Sequence, residues 1–241
     1  MENIKQKKNQ KVLAIIPAKG NSKSIKNKNL VKIDNKTLIE HVFTNLKKVK
    51  LIDTIYCSTN EKKIINHCKI IGLPFEVRDE NYCKDDSNIV DYLYEVLKKK
   101  TTFDIIILAQ PTSPFINKKV IYNLIQVLKR KKYNSCQTIS EVPHNFHYIN
   151  QRKFVNNQVS FMFKKERLKQ YNKQKKSKTF KFGNIIIFKR KSFLKSKNLF
   201  MSPCYGQKVN FLSSIDIDNK LDYQLAKILF DNKKILNKLK Y

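Results

Sequence analysis

The chain has no tryptophan, four glycines and five cysteines among its 241 residues. Neither G-x-x-x-x-G-K-[ST] nor G-x-G-x-x-G occurs, which excludes the two common glycine-rich nucleotide loops. The cysteines are odd in number and form no C-x-x-C pair, so we expect no disulfide framework or structural zinc site, and a reducing cytoplasm is the simplest location. No apolar run approaches the ~20 residues that span a bilayer, and residues 1–11 lack the apolar stretch of a signal peptide.

Arginine is also scarce, since only five of the 50 basic residues are arginine. The lysines are spread along the whole chain, and against 19 acidic residues they give a formal charge of +31. Such a charge suggests a nucleic-acid-binding protein, and aromatic residues occur close to basic residues around 154–163 and 180–188. Lysine, however, acts as a point charge, whereas arginine binds phosphate and guanine bidentately. We therefore interpret most of the charge as solvated background, expect no specific nucleic-acid partner, and keep nucleic-acid binding as an alternative.

Short apolar runs alternate with segments of helical periodicity, which predicts an α/β fold with a mostly parallel sheet covered on both faces. Strands are predicted at residues 12–16, 54–57, 74–77, 105–108, 184–188 and near 209–212. Helices are predicted at residues 37–46, 61–71, 89–97, 120–128 and 221–236. A hydrophobic content of 41% is sufficient for one core, so a single domain is expected at 11–241 after a polar tail at 1–10.

The alternation changes after about residue 140. Residues 148–163 suggest extended segments around polar turns, and residues 164–178 are very basic. Residues 143–180 are therefore predicted to form an arm inserted into the domain.

Four polar segments follow predicted strands and form the candidate site, because ligands of open α/β sheets bind beyond the carboxyl ends of the strands. They are the loop at 17–23, S-T-N at 58–60, Q-P-T-S-P at 110–114 and S-I-D-I-D at 214–218. The first loop combines small residues, hydroxyls and lysines, a composition that suits phosphate. In a chain so rich in lysine, residues such as Lys23 and Lys28 are more often mere surface charge.

Asp216 and Asp218 are the most informative pair of residues. Alternate residues of an extended strand point to one side, so both carboxylates would share a face. Such a pair repels unless a cation lies between its members, and Mg²⁺ binds carboxylates together with substrate phosphates. The alternative is a turn that caps the following helix. His144 and His147 lack a third ligand and do not predict zinc, and Cys136 is expected to be buried in a strand.

In this order, the segments resemble motifs of the acylneuraminate cytidylyltransferase family, the CMP-sialic acid synthetases. I-I-P-A-K-G-N-S-K at 15–23 with K-N at 28–29 is similar to the opening loop I-I-P-A-R-x-x-S-K…K-N. L-A-Q-P-T-S-P at 108–114 resembles L-L-Q-P-T-S-P, and S-I-D-I-D at 214–218 with Asp222 resembles S-I-D-I-D…x-D. C-S-T-N at 57–60 resembles V-S-T-D, and Arg78 followed by D-D-S at 85–87 resembles R-P…D-T-S.

The resemblance implies a three-layer Rossmann-like nucleotidyltransferase fold. It also implies transfer of CMP from CTP to the anomeric hydroxyl of a nine-carbon α-keto acid sugar, with release of pyrophosphate. Mg²⁺ would be held by Asp216 and Asp218, and the arm would form a homodimer. Lys19 and Lys23 would hold the triphosphate as catalytic residues, together with Asp216. The remaining implied nucleotide contacts are Asn21, Ser22, Lys28, Asn29, Arg78 and Ser87, and the implied sugar contacts are Gln110, Thr112 and Ser113.

Several positions depart from the family pattern. Lys19 stands where arginine is usual, Asn60 replaces an aspartate, and F-G-N at 182–184 exchanges the last two residues of P-N-G. These differences fit a divergent member that acts on another sialic-acid-like sugar, and they also fit a homologue that is inactive or uses another nucleotide. The eight-carbon 3-deoxy-manno-octulosonate enzymes are disfavoured, because the first loop lacks their S-T-R-L-P-x-K pattern.

Overall fold

The computed structural model describes residues 10–20, 22, 24–130, 132–170, 172 and 176–232. The strands in this part of the chain are β1 Val12–Pro17, β2 Lys32–Ile33, β3 Lys36–Thr37, β4 Thr54–Thr59, β5 Phe75–Val77, β6 Ile105–Ala109, β7 Ser135–Glu141, β8 Arg152–Val155, β9 Gln158–Phe161, β10 Phe180–Lys189 and β11 Cys204–Val209. Its α-helices are α1 Leu38–Lys47, α2 Lys62–Ile70, α3 Ile89–Lys99, α4 Lys118–Arg130, α5 Lys164–Lys169, α6 Arg190–Ser196 and α7 Lys220–Asp231. Most of the predicted tail and the end of the last predicted helix lie outside the described residues.

Seven strands form one sheet in the order β11-β7-β10-β6-β1-β4-β5. β1 pairs in parallel with β4 and β6, β4 with β5, and β7 with β11, whereas β10 is antiparallel to both of its neighbours. The predicted α/β fold with a mostly parallel sheet is confirmed. Because the chain places β4 on one side of β1 and β6 on the other, the strand order reverses at β1, and a crevice forms there at the carboxyl ends of the strands.

Apolar side chains cover both faces of the sheet and produce three layers. Alternate residues of a strand face opposite sides, and on β1 the residues Val12, Ala14 and Ile16 pack under α1, α2 and α4. Leu13 and Ile15 face the other way and pack under α3 and α6. All five side chains are fully buried, as the uninterrupted apolar run predicts for a central parallel strand.

The strand predicted near residues 209–212 is wrong in position. β11 ends at Val209, and residues 212–214 form a 3-10 turn. β11 is an edge strand with no fully buried residue, so it lacks the apolar run by which the central strands are found. Among the described residues, no helix combines the length and the apolar character that crossing a membrane requires.

The segment between β7 and β10 leaves the main sheet. Its described residues form two 3-10 turns, the hairpin of β8 and β9, and the short helix α5. The hairpin forms a sheet of its own, and every residue of β8 is exposed. Asn156 and Asn157 form its turn with φ of 48° and 61°, the left-handed region in which asparagine is tolerated best after glycine. This segment corresponds to the predicted arm.

Candidate active site

A cavity of about 710 Å³ opens at the carboxyl ends of the parallel strands. Loops after β1, β5 and β6 form one part of its wall, and β10 and the segment after α6 form the rest. Eight of the predicted site residues line it: Lys19, Ser22, Lys28, Asn29, Arg78, Ser87, Gln110 and Thr112. Asn21 and Lys23 lie outside the described residues, so their roles stay predictions.

The loop after β1 is held in place by the end of β4. The backbone N–H of Ala18 donates to the carbonyl of Ser58 at 2.8 Å, and that of Gly20 donates to Oδ1 of Asn60 at 3.3 Å. Asn60, which replaces the family's aspartate, therefore still accepts a hydrogen bond from the loop. These two hydrogen bonds anchor the start of the loop, whose Pro17 and Lys19 line the cavity.

Lys19 and Asn29 are joined across the same loop. Nδ2 of Asn29 donates to the carbonyl of Lys19 at 3.0 Å, so the two predicted nucleotide contacts form one unit. The Lys19 ammonium lies 4.0 Å from a carboxylate oxygen of Asp85, and both side chains are exposed. This distance and exposure describe a weak ion pair that leaves the ammonium accessible to another anion.

Arg78 is the buried cation of the cavity wall, with only 4% of its surface exposed. Its Nε donates to Oγ of Ser58 at 3.0 Å, and its Nη2 donates to the Ser58 carbonyl at 3.2 Å. The guanidinium lies 4.3 Å from the centre of the Tyr92 ring on α3. The sequence predicts Ser58 at a strand end without a role, and in the structure this residue orients Arg78.

Asp216 and Asp218 lie after the 3-10 turn at 212–214, in a segment that belongs to none of the helices and strands of the described residues. Burial alternates there as predicted, because Ile215 and Ile217 are buried whereas Asp216 is half-buried and Asp218 is exposed. The backbone N–H of Ile217 donates to the carbonyl of Thr112 at 2.9 Å, which ties the segment to the cavity wall.

The two carboxylates do not cap the following helix. Asn219 and Asp222 form the capping box of α7, and the backbone N–H of Asp218 also donates to Oδ2 of Asp222 at 3.0 Å. The side chains of Asp216 and Asp218 are therefore left for another role. This geometry overturns the alternative interpretation of the pair as a turn and cap.

Burial raises the pKa of Asp216, the nearby charge of Asp218 adds to the rise, and a hydrogen bond from Thr112 opposes it. One carboxylate oxygen of Asp216, Oδ1, is buried and has no hydrogen-bond partner among the described residues. A buried oxygen without a partner is costly unless a cation or donor reaches it. Nζ of Lys28 lies 3.0 Å from Oδ1 of Asp218, so an ammonium already contacts one member of the pair.

The donor set fits a hard divalent cation. No group of three or more His, Cys, Asp or Glu side chains within the described ranges could hold a metal ion alone. Mg²⁺ commonly uses one or two carboxylates and takes its other ligands from water and substrate phosphates. The orphaned oxygen of Asp216, with Asp218 two residues away, matches that requirement.

The exchanged order of Gly183 and Asn184 has a steric reason. Asn184 takes the left-handed conformation with φ 78°, and its Nδ2 donates to the carbonyl of Ile215 at 3.1 Å. A Cβ atom at position 183 would lie 2.8 Å from Oγ1 of Thr138 and 3.0 Å from its backbone carbon. Glycine is needed where β10 approaches β7, and asparagine holds the Asp216 segment.

The apolar part of the cavity wall was not predicted. It consists of Ile186, Leu199 and the rings of Phe182 and Phe200, which meet edge to face at 5.6 Å. In the sequence, Phe182 fits a core strand equally well, and Leu199 and Phe200 follow α6, which the periodicity does not predict. No local pattern identifies these residues, because only the folded sheet brings them to the cavity.

Ser113 lies behind the cavity wall rather than on it. Its side chain is fully buried and Oγ has no hydrogen-bond partner among the described residues, so its position does not support a direct contact with substrate. His144 and His147 belong to the arm, where their Nε2 atoms lie 2.9 Å from Nζ of Lys176 and 3.0 Å from the carbonyl of Ser177. Cys136 is buried in β7, as expected.

The fold and the polar cavity at its switch point define a nucleotidyltransferase. A solved CMP:2-keto-3-deoxy-manno-octonic acid synthetase complexed with CTP has the same fold, with a TM-score of 0.72 and 17% identity over 93% of this chain and 100% of that one. The family model described as cytidylyltransferase matches residues 13–240. The chain belongs to this cytidylyltransferase family.

Three curated relatives illustrate the range of the similarity. An N-acylneuraminate cytidylyltransferase of Escherichia coli is 23% identical over 90% of this chain, which spans only 51% of that protein. A CMP-N,N'-diacetyllegionaminic acid synthase of Legionella pneumophila is 27% identical over 92% of this chain and 97% of its own length. A 3-deoxy-manno-octulosonate cytidylyltransferase of Fusobacterium nucleatum is 33% identical, but over 51% of this chain and 48% of its own length.

Proposed function

We propose that this cytidylyltransferase uses CTP and Mg²⁺ to activate a nine-carbon α-keto acid sugar, forming the CMP-sugar and pyrophosphate. The observation that supports the proposal most directly is the cavity, which Lys19, Lys28 and Arg78 line and whose Lys28 contacts Asp218 of the Asp216–Asp218 pair. A relative with almost the same length, from Legionella, is named for a sugar of this class.

The sheet order suggests where the two substrates bind. Residues after β1 and β5 lie on one side of Gln110, and the Phe182 side of β10 lies on the other. The cations of the first side suit the triphosphate and cytidine, as predicted for Lys19, Lys28 and Arg78. The apolar and amide side chains of the second side suit the sugar, whose contact is proposed to be Gln110.

In the reaction, the anomeric hydroxyl oxygen attacks the α-phosphorus of CTP. The bond between that phosphorus and the bridging oxygen to the β-phosphate breaks, pyrophosphate leaves, and the hydroxyl proton is lost to solvent. The residues of this chain align the two substrates and neutralise charge. In phosphoryl and nucleotidyl transfer, these two effects account for most of the catalysis. Asp216 and Asp218 would hold Mg²⁺, which when bound withdraws negative charge from the phosphate oxygens.

A homodimer formed through the arm is part of the proposal. The hairpin exposes Phe154, Val155 and Val159, each more than 60% exposed, and exposed apolar patches of this kind mark interaction sites.

A cytoplasmic location also remains a prediction, supported by the cysteine pattern.

The test is a pyrophosphate-release assay with CTP, Mg²⁺ and a panel of eight- and nine-carbon α-keto acid sugars. We expect turnover with at least one nine-carbon sugar. Asp216→Asn, which keeps the side-chain shape, should lower kcat/KM by about 100-fold or more, since a metal site commonly contributes several kcal/mol. Asp231→Asn, which makes the same change at the exposed end of α7, is the matched control.

Three results would change the assignment. Full activity of Asp216→Asn would remove the proposed metal role. A folded wild-type protein that releases no pyrophosphate with any sugar would favour the non-catalytic homologue, and turnover only with eight-carbon sugars would assign the octulosonate class.

A further inference from the structure

Lys28 is more restrained than a surface lysine of this chain. Only 16% of its side chain is exposed, whereas its partner Asp218 is 70% exposed. It begins a 3-10 turn after Asn27, whose φ of 53° is left-handed, and its backbone N–H donates to the carbonyl of Ile25 at 3.1 Å. The turn holds the backbone of Lys28, and the low exposure of its side chain restrains the ammonium beside Asp218.

The same ammonium faces three groups at one place. It contacts Oδ1 of Asp218 at 3.0 Å, its charge opposes the rise that burial causes in the pKa of Asp216, and its side chain lines the cavity proposed for the triphosphate. Lys181 is the second cation near Asp216, but its Nζ donates to the carbonyl of Ser214 at 2.8 Å, which occupies it structurally. Lys28 is thus the cation that can exchange between a carboxylate and a phosphate.

An ammonium and a divalent cation compete for the same carboxylate oxygen. We propose that Lys28 couples nucleotide binding to metal binding: it neutralises Asp218 until the triphosphate attracts its ammonium, and Asp218 then becomes available to the divalent cation. This inference rests on the proposed function, because it needs both the triphosphate subsite and the carboxylate metal site. It makes Lys28 a positioning residue for the metal as well as a phosphate contact.

The coupling has a thermodynamic consequence that binding measurements can detect. If nucleotide raises the affinity for the metal by a given factor, the metal raises the affinity for nucleotide by the same factor. Removing Lys28 should therefore strengthen metal binding to the nucleotide-free protein and weaken the mutual enhancement. If Lys28 only added charge to the triphosphate subsite, its removal would weaken CTP binding equally with and without metal.

The experiment measures Mn²⁺ binding to the nucleotide-free protein by electron paramagnetic resonance, and CTP binding by calorimetry in EDTA and in saturating Mn²⁺. No sugar is present, so no turnover occurs. The variants are Lys28→Met and, as the matched control, Lys26→Met, which removes the same charge from an exposed side chain of the same loop. Asp218→Asn and the Lys28→Met/Asp218→Asn double variant complete a double-mutant cycle.

We expect Lys28→Met to bind Mn²⁺ about five- to tenfold more tightly than the wild type, and Lys26→Met to stay within about twofold of it. The ratio of CTP affinities with and without Mn²⁺ should fall in Lys28→Met by a similar factor. The gain should vanish when Asp218 is already asparagine. Two results would overturn this inference and leave the proposed function intact. The first is that Lys28→Met binds Mn²⁺ no more tightly than Lys26→Met. The second is that removing Lys28 gives an equal gain in the Asp218→Asn background.

One further outcome separates this inference from the proposed function. If Asp216→Asn and Asp218→Asn leave Mn²⁺ binding unchanged both with and without CTP, the carboxylate pair is not a metal site. Both the metal assignment and the coupling through Lys28 would then be rejected.

Discussion

Arg78 is held in one orientation by neighbouring side chains and backbone. Two of its nitrogens donate to Ser58, and its guanidinium stacks on the Tyr92 ring at 4.3 Å. A lysine could not make both contacts, because its ammonium lacks the planar fork of the guanidinium. In a chain with so few arginines, this position depends on the chemistry of arginine itself.

We predict that Tyr92 acts on catalysis through Arg78. Tyr92→Leu should raise the KM for CTP by about 3- to 30-fold with little change in kcat, because a cation–π contact contributes about 0.5–2 kcal/mol to the orientation of the cation. Tyr92→Phe retains the ring and should restore most of the affinity. Steady-state kinetics with varied CTP distinguishes the two variants.

Tyr94→Leu is the control for this prediction. It makes the same change on α3, where the ring faces the surface lysines Lys98 and Lys197. If Tyr92→Leu and Tyr94→Leu have equal KM values and Tyr92→Leu is only less stable, Tyr92 contributes to packing and not to CTP binding.

The site was predictable from sequence where motifs follow strands directly. Gln110 and Lys19 come immediately after apolar runs, so the parallel sheet places them at one edge. The contact between Lys28 and Asp218 spans 190 positions and leaves no local signal. The same is true of Phe200, which reaches the cavity only through packing against Phe182.

At the level of elements, strands buried on both faces were the easiest to predict. β1 and β6 are continuous apolar runs, since neither face meets water. β11 was misplaced because an edge strand is stabilised by its pairing with β7 rather than by its own burial. The antiparallel direction of β10 has no signature either, because a buried strand has the same composition in both orientations.

His41 on α1 joins three elements and provides a pH-dependent test of the fold. Its Nε2 lies 2.7 Å from the carbonyl of Ile33 in β2, and its ring packs on Phe230 of α7 at 4.7 Å. Burial lowers its pKa from 6.5 and outweighs the hydrogen bond to Ile33, which acts in the opposite direction. The imidazole is therefore harder to protonate in the folded protein than in the unfolded chain.

The sign of the effect follows from proton linkage. Below pH 6.5 the unfolded chain binds a proton at His41 that the folded protein does not, so the free energy of unfolding should fall as the pH drops from 6.5 toward 5. The slope from this residue is at most about 1.4 kcal/mol per pH unit. Urea unfolding at several pH values measures it.

His41→Gln should reduce this slope, because the side chain no longer titrates. His144→Gln removes an imidazole from the arm and is the control for the number of histidines. An unchanged slope in His41→Gln, or an equal reduction in His144→Gln, would contradict the assignment to His41.

On the scale of the whole molecule, the charge of +31 and the exposed arm have opposite effects on the association of two copies. Two copies with this charge repel, and the repulsion is strongest at low ionic strength. The hairpin of β8 and β9 is a two-stranded sheet with exposed strands, and such a sheet is only marginally stable unless another surface covers it. Its apolar side chains are suited to supply the attraction that the charge opposes.

We therefore predict a dimer that tightens with salt and is lost when the hairpin becomes polar. Sedimentation equilibrium should show a Kd that falls by about tenfold or more between ~0.05 M and ~0.5 M NaCl, because salt screens the repulsion and leaves apolar contact in place. Phe154→Asp should give a monomer that still folds, since this side chain is 69% exposed in the single chain. Leu221→Asp places the same change on α7, where the side chain is 77% exposed, and should leave the dimer intact. A dimer that weakens with salt, or that Leu221→Asp disrupts as strongly as Phe154→Asp, would place the interface elsewhere.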